Sequence, residues 1–204
     1  MTASMIEPAG QAELYRRGSD TLLASWEAYA SSGVARFAAW VHESDVPMTA
    51  ELEQRDYTLD TTTRAMGMAL DHIALPRPRI DLGPADWAEY LTMDGLPPGF
   101  LRSADHAVFH LLAARVDGEM VAAALAYDFG GDCGIYNVGT VERVRRRGLG
   151  TALTAAQLYD AHDRGCHTAS LQSTPMAERV YAAAGFRNLG RILEYVPGSQ
   201  SGDA

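Results

Sequence analysis

The sequence predicts an α/β fold with a mixed, mostly antiparallel central sheet and helices on both of its faces. Two observations in the second half of the chain predict it. Three apolar runs follow one another across tight-turn signals, which is typical of an antiparallel meander. Helical segments that end at glycine then alternate with short apolar strands. A similar order of elements nearer the N-terminus predicts a partial second copy of the same unit.

The meander accounts for the first three strands of this region. We expect them at Ala107–Val116, Met120–Tyr127 and Cys133–Val141. Asp117-Gly118 joins the first two runs and is a strong hairpin signal, and Asp128–Asp132 supplies a second turn.

The helices that follow are marked by the residues at their ends. A helix is predicted from Gly148 or Gly150 to about Arg164, where Gly165 stops it, and Pro175 suits the first turn of another. The remaining elements are a strand at His167–Leu171, a helix at Met176–Ala184 stopped by Gly185, a strand at Gly190–Val196 and a polar tail from Pro197.

The upper half of the chain is richer in helix and less regular. The expected elements are a helix from Ser19 or Asp20 to Tyr29, a strand at Val34–Val41, a helix from Pro47 to about Arg55, and one or two strands within Tyr57–Leu70. The prolines of Leu75–Pro84 indicate a linker. We therefore predict a degenerate partial repeat over 1–75, a linker over 76–84, a main domain over 85–197 and a flexible tail over 198–204.

The predicted repeat depends on a match at constant offset. Arg16–Leu23 aligns with Arg146–Leu153, and Tyr29 then falls opposite Tyr159. Helix–strand–helix segments often look alike, which is the simpler explanation. Asp20 takes the place of Gly150, and its carboxylate would repel a phosphate, so the upper copy is expected to be inert.

Composition and charge limit the class of protein. The 204 residues carry a net charge of −9 and a sequence pI of about 5.0, which argues against nucleic acid as a main partner. The only cysteines, Cys133 and Cys166, are too few for a disulfide framework. With no secretory signal and no apolar run of membrane-spanning length, we expect a cytoplasmic protein without a membrane partner.

One loop has a composition suited to an anionic ligand. Arg145-x-x-Gly148-x-Gly150 lies between a predicted strand and a predicted helix. Glycines allow close backbone approach, and a helix start presents unpaired N–H groups to an anion. The three arginines at 145–147 add charge to an otherwise acidic chain. A pyrophosphate is the expected ligand, since the spacing fits neither a P-loop nor a Rossmann turn.

The loop and a second motif together resemble the GNAT superfamily of acyl-CoA-dependent N-acyltransferases. That family has Arg/Gln-x-x-Gly-x-Gly/Ala between its fourth strand and third helix, and Asn-x-x-Ala-x-x-x-Tyr-x-x-x-Gly-Phe further on. The segment 174–186 matches the second motif at Ala177, Tyr181, Gly185 and Phe186, whereas Thr174 replaces the asparagine. The resemblance covers about 101–196.

The resemblance implies an N-acetyltransferase that uses acetyl-CoA as co-substrate. Backbone groups of Val138, Gly139 and Thr140 would pair with the pantetheine arm along a splayed strand edge. Tyr181 would protonate the leaving CoA thiolate. The other implied cofactor-binding residues are Arg145, Arg146, Arg147, Gly148, Leu149, Gly150, Thr151 and Thr174. Glu142 and Arg143 stand where the family often has proline, so the entry to the loop is expected to differ.

The acceptor side carries no such motif. The acceptor is expected to be an amine of a small molecule or peptide, and 81–102 is the expected lid. Candidates for a general base are Asp105, His106, His110, Tyr136 and Glu142, of which none is assigned. On a strand, His106 and His110 would face the same side. No metal site is expected.

Three questions stay open at this point. The aromatic residues of the upper half, including Trp26, Trp40 and Trp87, form either core, an acceptor pocket or a face for self-association. Uncovered strand edges there motivate a homodimer. The rival to an enzyme is an inactive CoA-binding sensor or interaction module, followed by a nucleotide-binding module.

Overall fold

The computed structural model describes residues 37–98 and 105–198. Contacts divide the chain into two compact units, Met1–Arg64 with Gly190–Ala204, and Ala65–Leu189. These bounds differ from those of the predicted linker. The predicted helix at Ser19–Tyr29 and the match at Arg16–Leu23 lie outside the described residues, so the degenerate repeat stays a prediction.

The described residues form eight strands and four α-helices. The strands are β1 (Ala39–His42), β2 (Tyr57–Ala69), β3 (Leu82–Pro84), β4 (Phe109–Val116), β5 (Glu119–Phe129), β6 (Asp132–Thr140), β7 (Thr168–Ser173) and β8 (Arg187–Pro197). The helices are α1 (Val46–Gln54), α2 (Trp87–Met93), α3 (Leu149–Asp163) and α4 (Glu178–Ala183). The sheet order is β1-β8-β2-β7-β6-β5-β4-β3. The predicted mixed sheet with helices is confirmed.

The predicted meander is also confirmed. Strand β4 pairs antiparallel with β5 from Phe109↔Tyr127 to Val116↔Glu119, and β5 pairs antiparallel with β6. Asp117 and Gly118 have φ of 52° and 82°, and Gly130 and Gly131 have 60° and 83°. Two successive positive φ values suit the twist of a two-residue hairpin.

Strand β6 changes character halfway along its length. Its first four residues, Asp132–Ile135, pair in parallel with Thr168–Leu171 of β7. Beyond them, the register with β5 shifts by one residue, and Asn137 takes φ of 48°. A bulge of this kind bends one strand away from its regular path. Residues 136–140 therefore lie beyond the section of β6 that pairs with β7.

The second unit buries both faces of this part of the sheet. Tyr90 and Leu91 of α2 pack with Ala113, Ala123 and Leu125 on one face. On the other face, Leu153 of α3 packs with alanines of β4 and β5, which are Ala114, Ala122 and Ala124. Alanine keeps the helix close to the strands because its side chain is short.

Helix α3 is also anchored by a buried amide. Gln157 is fully buried, and its Nε2 donates to the carbonyls of His110 and Ala124 at 2.7 and 3.1 Å. Ala124 is the β5 residue that the bulge leaves without a β6 partner in the register. A buried carbonyl without a hydrogen-bond donor would be costly, so Gln157 fixes the helix across the bulge.

The first unit has its own core around the β1–β8 pair. Strand β1 pairs antiparallel with β8 from Ala39↔Tyr195 to His42↔Ile192. Asp45 caps α1 by accepting from Met48 N at 3.2 Å, with proline in the first turn as predicted. The core consists of Ala39, Val41, Met48, Leu52, Tyr57 and Tyr195.

Two sequence predictions need correction. The linker was expected to run to Pro84, but Leu82–Pro84 forms β3 and pairs with β4. The second motif's helix was expected to begin at Pro175, but it begins at Glu178. The Thr174 carbonyl accepts from Ala177 N and Glu178 N at 3.0 and 3.2 Å, so a turn precedes the helix.

Candidate active site

The predicted phosphate loop connects β6 to α3, as the sequence indicated. Gly148 is the N-cap residue of α3, with φ of 80°, and no side chain caps the helix. The first four N–H groups of an α-helix have no acceptor within the helix. The 15-residue helix therefore presents backbone donors and the positive end of its dipole at this loop.

The backbone of the loop is held in unusual conformations. Arg146 is a non-glycine residue with φ of 62°, next but one to Gly148. Left-handed backbone at a residue with a side chain is uncommon and typically marks a functional loop. A short 3-10 turn at Glu142–Val144 precedes it, and Arg145 Nε donates to the Thr140 carbonyl at 3.1 Å.

Positively charged side chains lie beside the backbone N–H groups at the start of α3. Arg145, Arg146 and Arg147 are all exposed. Arg143 is instead bound to Glu119, at 2.5 Å between Nη2 and Oε2. The loop can therefore offer guanidinium groups to an anion in addition to its backbone donors, which is the arrangement that favours phosphate.

The two predicted parts of the cofactor site lie together. A Cβ atom placed on Gly150 would lie 3.7 Å from Cγ1 of Val138, so the two residues are neighbours. Val138 and Leu149 also pack against the same core cluster under α3. Val138, in the half of β6 that follows its pairing with β7 (residues 136–140, the open half), is therefore adjacent to the first turn of α3.

Tyr181, the predicted acid, lies on α4. Its ring contacts Phe186 edge-on, with centroids 5.9 Å apart, and it packs against the core cluster that Val138 also borders. Burial raises the pKa of the Tyr181 hydroxyl above its ordinary value. The hydroxyl makes no hydrogen bond to another described residue, so it is available to a ligand.

Thr174, which stands at the asparagine position of the second motif, is exposed at the end of β7. Its carbonyl also accepts from the buried Ser173 hydroxyl at 2.9 Å. This places Thr174 at the turn between β7 and α4, before the helix that carries Tyr181.

The histidine candidates for a base lie elsewhere. His106 is in a 3-10 turn rather than on a strand as expected, and it stacks on Trp87 at 4.4 Å. It nevertheless lines the same cleft of about 380 Å³ as His110, together with Asp160 and Arg164. Because Asp160 and Arg164 belong to the end of α3, this cleft is about 20 Å from the helix N-terminus.

His110 also has a structural partner. Its Nε2 lies 3.3 Å from Asp128, which binds Arg164 through two hydrogen bonds of 2.6 and 2.9 Å. Burial, with the nearby Arg164 charge, lowers the pKa of His110. Of the other candidates, Asp105 accepts from Ala107 N at 3.0 Å and caps the 3-10 turn.

Tyr136 is the one base candidate on the open half of β6. It is about half exposed, and burial of its remaining surface raises the pKa of its hydroxyl. Its hydroxyl occupies the space where a side chain at Gly134 would lie. A raised pKa keeps the Tyr136 hydroxyl protonated near neutral pH, so it does not serve as a base there. Glu142 is exposed before the loop.

Sequence reasoning missed one carboxylate beside the open strand. Asp94 is half-buried after α2, and its Oδ1 lies 3.4 Å from where a side chain at Gly139 would begin. Nearby, Asn137 Nδ2 donates to the fully buried Tyr90 hydroxyl at 3.0 Å. In the sequence, Asp94-Gly95 indicates only the end of a short helix. Its closeness to β6 is a contact between distant residues, which no local pattern shows.

Among residues 37–98 and 105–198, no group of three or more His, Cys, Asp or Glu side chains is arranged to hold a metal ion. Within the same ranges, no helix has the length and apolar character required to cross a bilayer. Cys133 and Cys166 are both free and buried.

A bulged strand that leaves its pairing with β7, beside an uncapped, arginine-rich helix start, is suited to an extended ligand that ends in phosphate. The model of the acetyltransferase (GNAT) family matches residues 70–186, which is more than half of the chain. The chain belongs to this acyltransferase family, whose members use an acyl-CoA co-substrate. No curated protein matches the chain.

Solved structures of the same family are similar in fold. A GCN5-related N-acetyltransferase from Kribbella flavida is 20% identical, with a TM-score of 0.68, over 97% of this chain and 77% of its own. One from Sphaerobacter thermophilus is 20% identical with a TM-score of 0.63, over 89% and 70%. A tandem GNAT protein from the clavulanic acid biosynthesis pathway is 16% identical with a TM-score of 0.63, over 90% and 70%.

Proposed function

We propose that this protein is an N-acetyltransferase that moves the acetyl group of acetyl-CoA to an amine of a small molecule or peptide by direct attack. The observation that carries the proposal is the uncapped N-terminus of α3 beside the open half of β6. Family membership supplies the acyl-CoA donor class. Acetyl-CoA itself, the amine and the roles of individual residues are the proposed parts.

The donor would be held by backbone groups more than by side chains. The N–H groups from Arg145 to Thr151 would bind the pyrophosphate, with the three exposed arginines adding charge. The backbone of Val138–Thr140 would pair with the pantetheine arm. An arm bound along residues 136–140 would lie beyond the pairs between β6 and β7. No hydrogen bond between these two strands would therefore have to break.

Tyr181 would be the general acid for the leaving thiolate. Its raised pKa keeps the hydroxyl protonated through the neutral range. The hydroxyl makes no hydrogen bond to any residue in 37–98 or 105–198 that a ligand would have to replace. General acid catalysis by a positioned side chain typically contributes about 10²–10⁴-fold. Thr174, before α4, would contact the donor at the position where the family has asparagine.

The reaction needs little covalent chemistry from the protein. An acceptor that binds as an ammonium first releases one proton to solvent. The neutral amine then attacks the thioester carbonyl, the new C–N bond forms, and the C–S bond breaks as Tyr181 protonates the sulfur. Holding donor and acceptor together supplies on the order of 7–11 kcal/mol of the barrier. The proton lost by the nitrogen returns to the Tyr181 oxygen, so protons balance within the cycle.

An acetylation assay tests the proposal directly. The protein is incubated with acetyl-CoA and a panel of primary amines, and CoA thiol and acetylated amine are measured in parallel. We expect both products to appear in equal amounts for at least one amine. If acetyl-CoA binds but no amine is acetylated, the inactive CoA-binding sensor replaces the enzyme.

A further inference from the structure

We infer that Asp94 is the carboxylate that binds the cationic amine of the acceptor, and that the acceptors are primary alkylamines carrying a positive charge. The inference rests on the proposed function, because it names the acceptor for that same site. The observation behind it is the position of Asp94 against Gly139, on the open half of β6.

The two neighbouring residues of β6 face different helices. Val138 lies against the first turn of α3, where Cγ1 is 3.7 Å from the start of a side chain at Gly150. Gly139 lies against the end of α2, where Asp94 Oδ1 and Met93 Cε come within 3.4 and 3.8 Å of such a position. The donor loop and Asp94 therefore lie on opposite sides of one strand.

Glycine at position 139 leaves the strand backbone open towards this carboxylate. A Cβ atom there would lie 3.4 Å from Oδ1 of Asp94, so a larger side chain would compete with a ligand for this space. With hydrogen alone at Gly139, a small cationic group bound to Asp94 can lie next to the backbone that is proposed to align the pantetheine arm. An acceptor nitrogen is thereby brought to the donor from the α2 side.

The backbone that carries Asp94 is fixed at both ends of α2. Asp86 caps the start of α2 by accepting from Ala88 N and Glu89 N at 2.9 and 3.1 Å. At the other end, Leu96 N donates to the Leu91 carbonyl at 2.9 Å across Gly95, whose φ is 67°. This is the glycine-terminated helix end that fixes the last carbonyls of a helix.

The electrostatic surroundings favour a bound cation. Asp94 makes no ion pair with any residue in 37–98 or 105–198. Burial raises the pKa of its carboxyl, and the neighbouring Tyr90, whose pKa is raised by burial and by Asp94, offers no positive charge. A half-buried carboxylate is stabilised by an opposite charge that shares its site. An acceptor ammonium supplies that charge.

The test measures binding of charged and neutral isosteres to the CoA-saturated protein. Benzylammonium is compared with benzyl alcohol, and n-butylammonium with n-butanol, by calorimetry. We expect at least one ammonium to bind about tenfold or more tightly than its alcohol, since hydrogen bonds to charged groups are the stronger ones. Asp94→Asn should remove this preference while leaving CoA affinity unchanged.

Glu89→Gln is the matched control. It removes the same charge from the same helix, but Glu89 is bound to Arg115 at 2.8 Å and lies outside the site. We expect Glu89→Gln to keep the ammonium preference. The inference fails if the wild type prefers neither ammonium, or if Asp94→Asn keeps the preference. If CoA stabilises neither the wild type nor any variant, the proposed function is contradicted, independently of Asp94.

Discussion

The two halves of β6 differ in how they pair with neighbouring strands. In the first half, Asp132–Ile135 pairs with β7, and the Asp132 carboxylate accepts from the Thr168 and Ser170 hydroxyls at 2.6 Å each. In the second half, residues 136–140 have left that ladder, and the strand ends in the loop at Arg145. The first half is therefore paired on both edges, whereas the second half is paired with β5 and not with β7.

The two ends of α3 differ in the same way as the two halves of β6. Next to the closed half, Asp128 at the end of β5 binds Arg164 at the end of α3. At the opposite end of the same helix, no side chain caps the first turn. A helix that is anchored at its C-terminal end and uncapped at its N-terminal end presents unpaired N–H groups from a fixed element.

The largest effect is expected at the open half, from Tyr181→Phe. The substitution keeps the ring contact with Phe186 and removes the hydroxyl, so the fold and CoA affinity should be retained. With an accepted amine, kcat at saturating acetyl-CoA should fall by about 10²–10⁴-fold. Steady-state kinetics measures this, and an unchanged kcat would remove Tyr181 from the mechanism.

The next effect concerns the loop, through Gly150→Asp. A carboxylate in the first turn would repel the pyrophosphate while interacting favourably with the helix dipole, so affinity should fall without loss of stability. We expect the Kd of acetyl-CoA to rise by about 100-fold, equivalent to about 2.7 kcal/mol. Calorimetry gives Kd, and thermal unfolding checks the fold.

Gly150→Ala is the control for this change. An alanine Cβ would meet Val138 Cγ1 at 3.7 Å, an ordinary contact, so acetyl-CoA affinity should stay within about threefold of wild type. Equal losses in both variants would mean that space, rather than charge, limits the loop.

A smaller effect is expected at the closed half, from Asp128→Asn. The side-chain hydrogen bond with Arg164 lowers the pKa of Asp128 from 3.8 to about 2. A pKa lowered by folding stabilises the protein above the unfolded value, and this contribution is lost as pH falls from about 4 towards 2. Near neutral pH the variant should lose about 1–2 kcal/mol of unfolding free energy.

Denaturant unfolding at several pH values checks this prediction. The difference between wild type and Asp128→Asn should shrink as pH falls from about 4 towards 2. A difference that stays constant over that range would contradict the assigned ion pair, while acetyl-CoA affinity near neutral pH should be similar in both proteins.

The smallest effect is expected on the outer face of α3, from Asp163→Asn. Asp163 pairs with Arg77 at 2.9 Å, but both side chains are more than half exposed. Exposed ion pairs typically contribute about 0–1 kcal/mol, so the loss should be below that for Asp128→Asn. A larger loss, measured by denaturant unfolding, would show that the segment before β3 stabilises α3 more than its exposure indicates.

Local signals in the sequence predicted much of this molecule. Asp117-Gly118 gave the hairpin because its backbone requirement is local, and Gly165 and Gly185 gave the ends of α3 and α4 for the same reason. The Arg145–Gly150 loop was found between a strand and a helix because its glycines and arginines are adjacent in sequence.

The parts that sequence reasoning missed depend on contacts between distant residues. The position of β2 between β7 and β8 is set by strand pairing, which no local pattern specifies. The turn that delays α4 to Glu178 follows from hydrogen bonds to the Thr174 carbonyl. Asp94 comes close to Gly139 because α2 packs across the sheet, and no local pattern in the sequence indicates this contact.

The central claim is that the open half of β6 and the start of α3 bind acetyl-CoA. A thermal-unfolding titration with acetyl-CoA, CoA and ATP tests it most directly. Ligand at 100 times its Kd stabilises by about 2.7 kcal/mol, a shift of roughly 5–11 °C for a chain of this size. We predict that shift with both CoA species and not with ATP. No shift with either CoA species at saturating concentration would contradict the account.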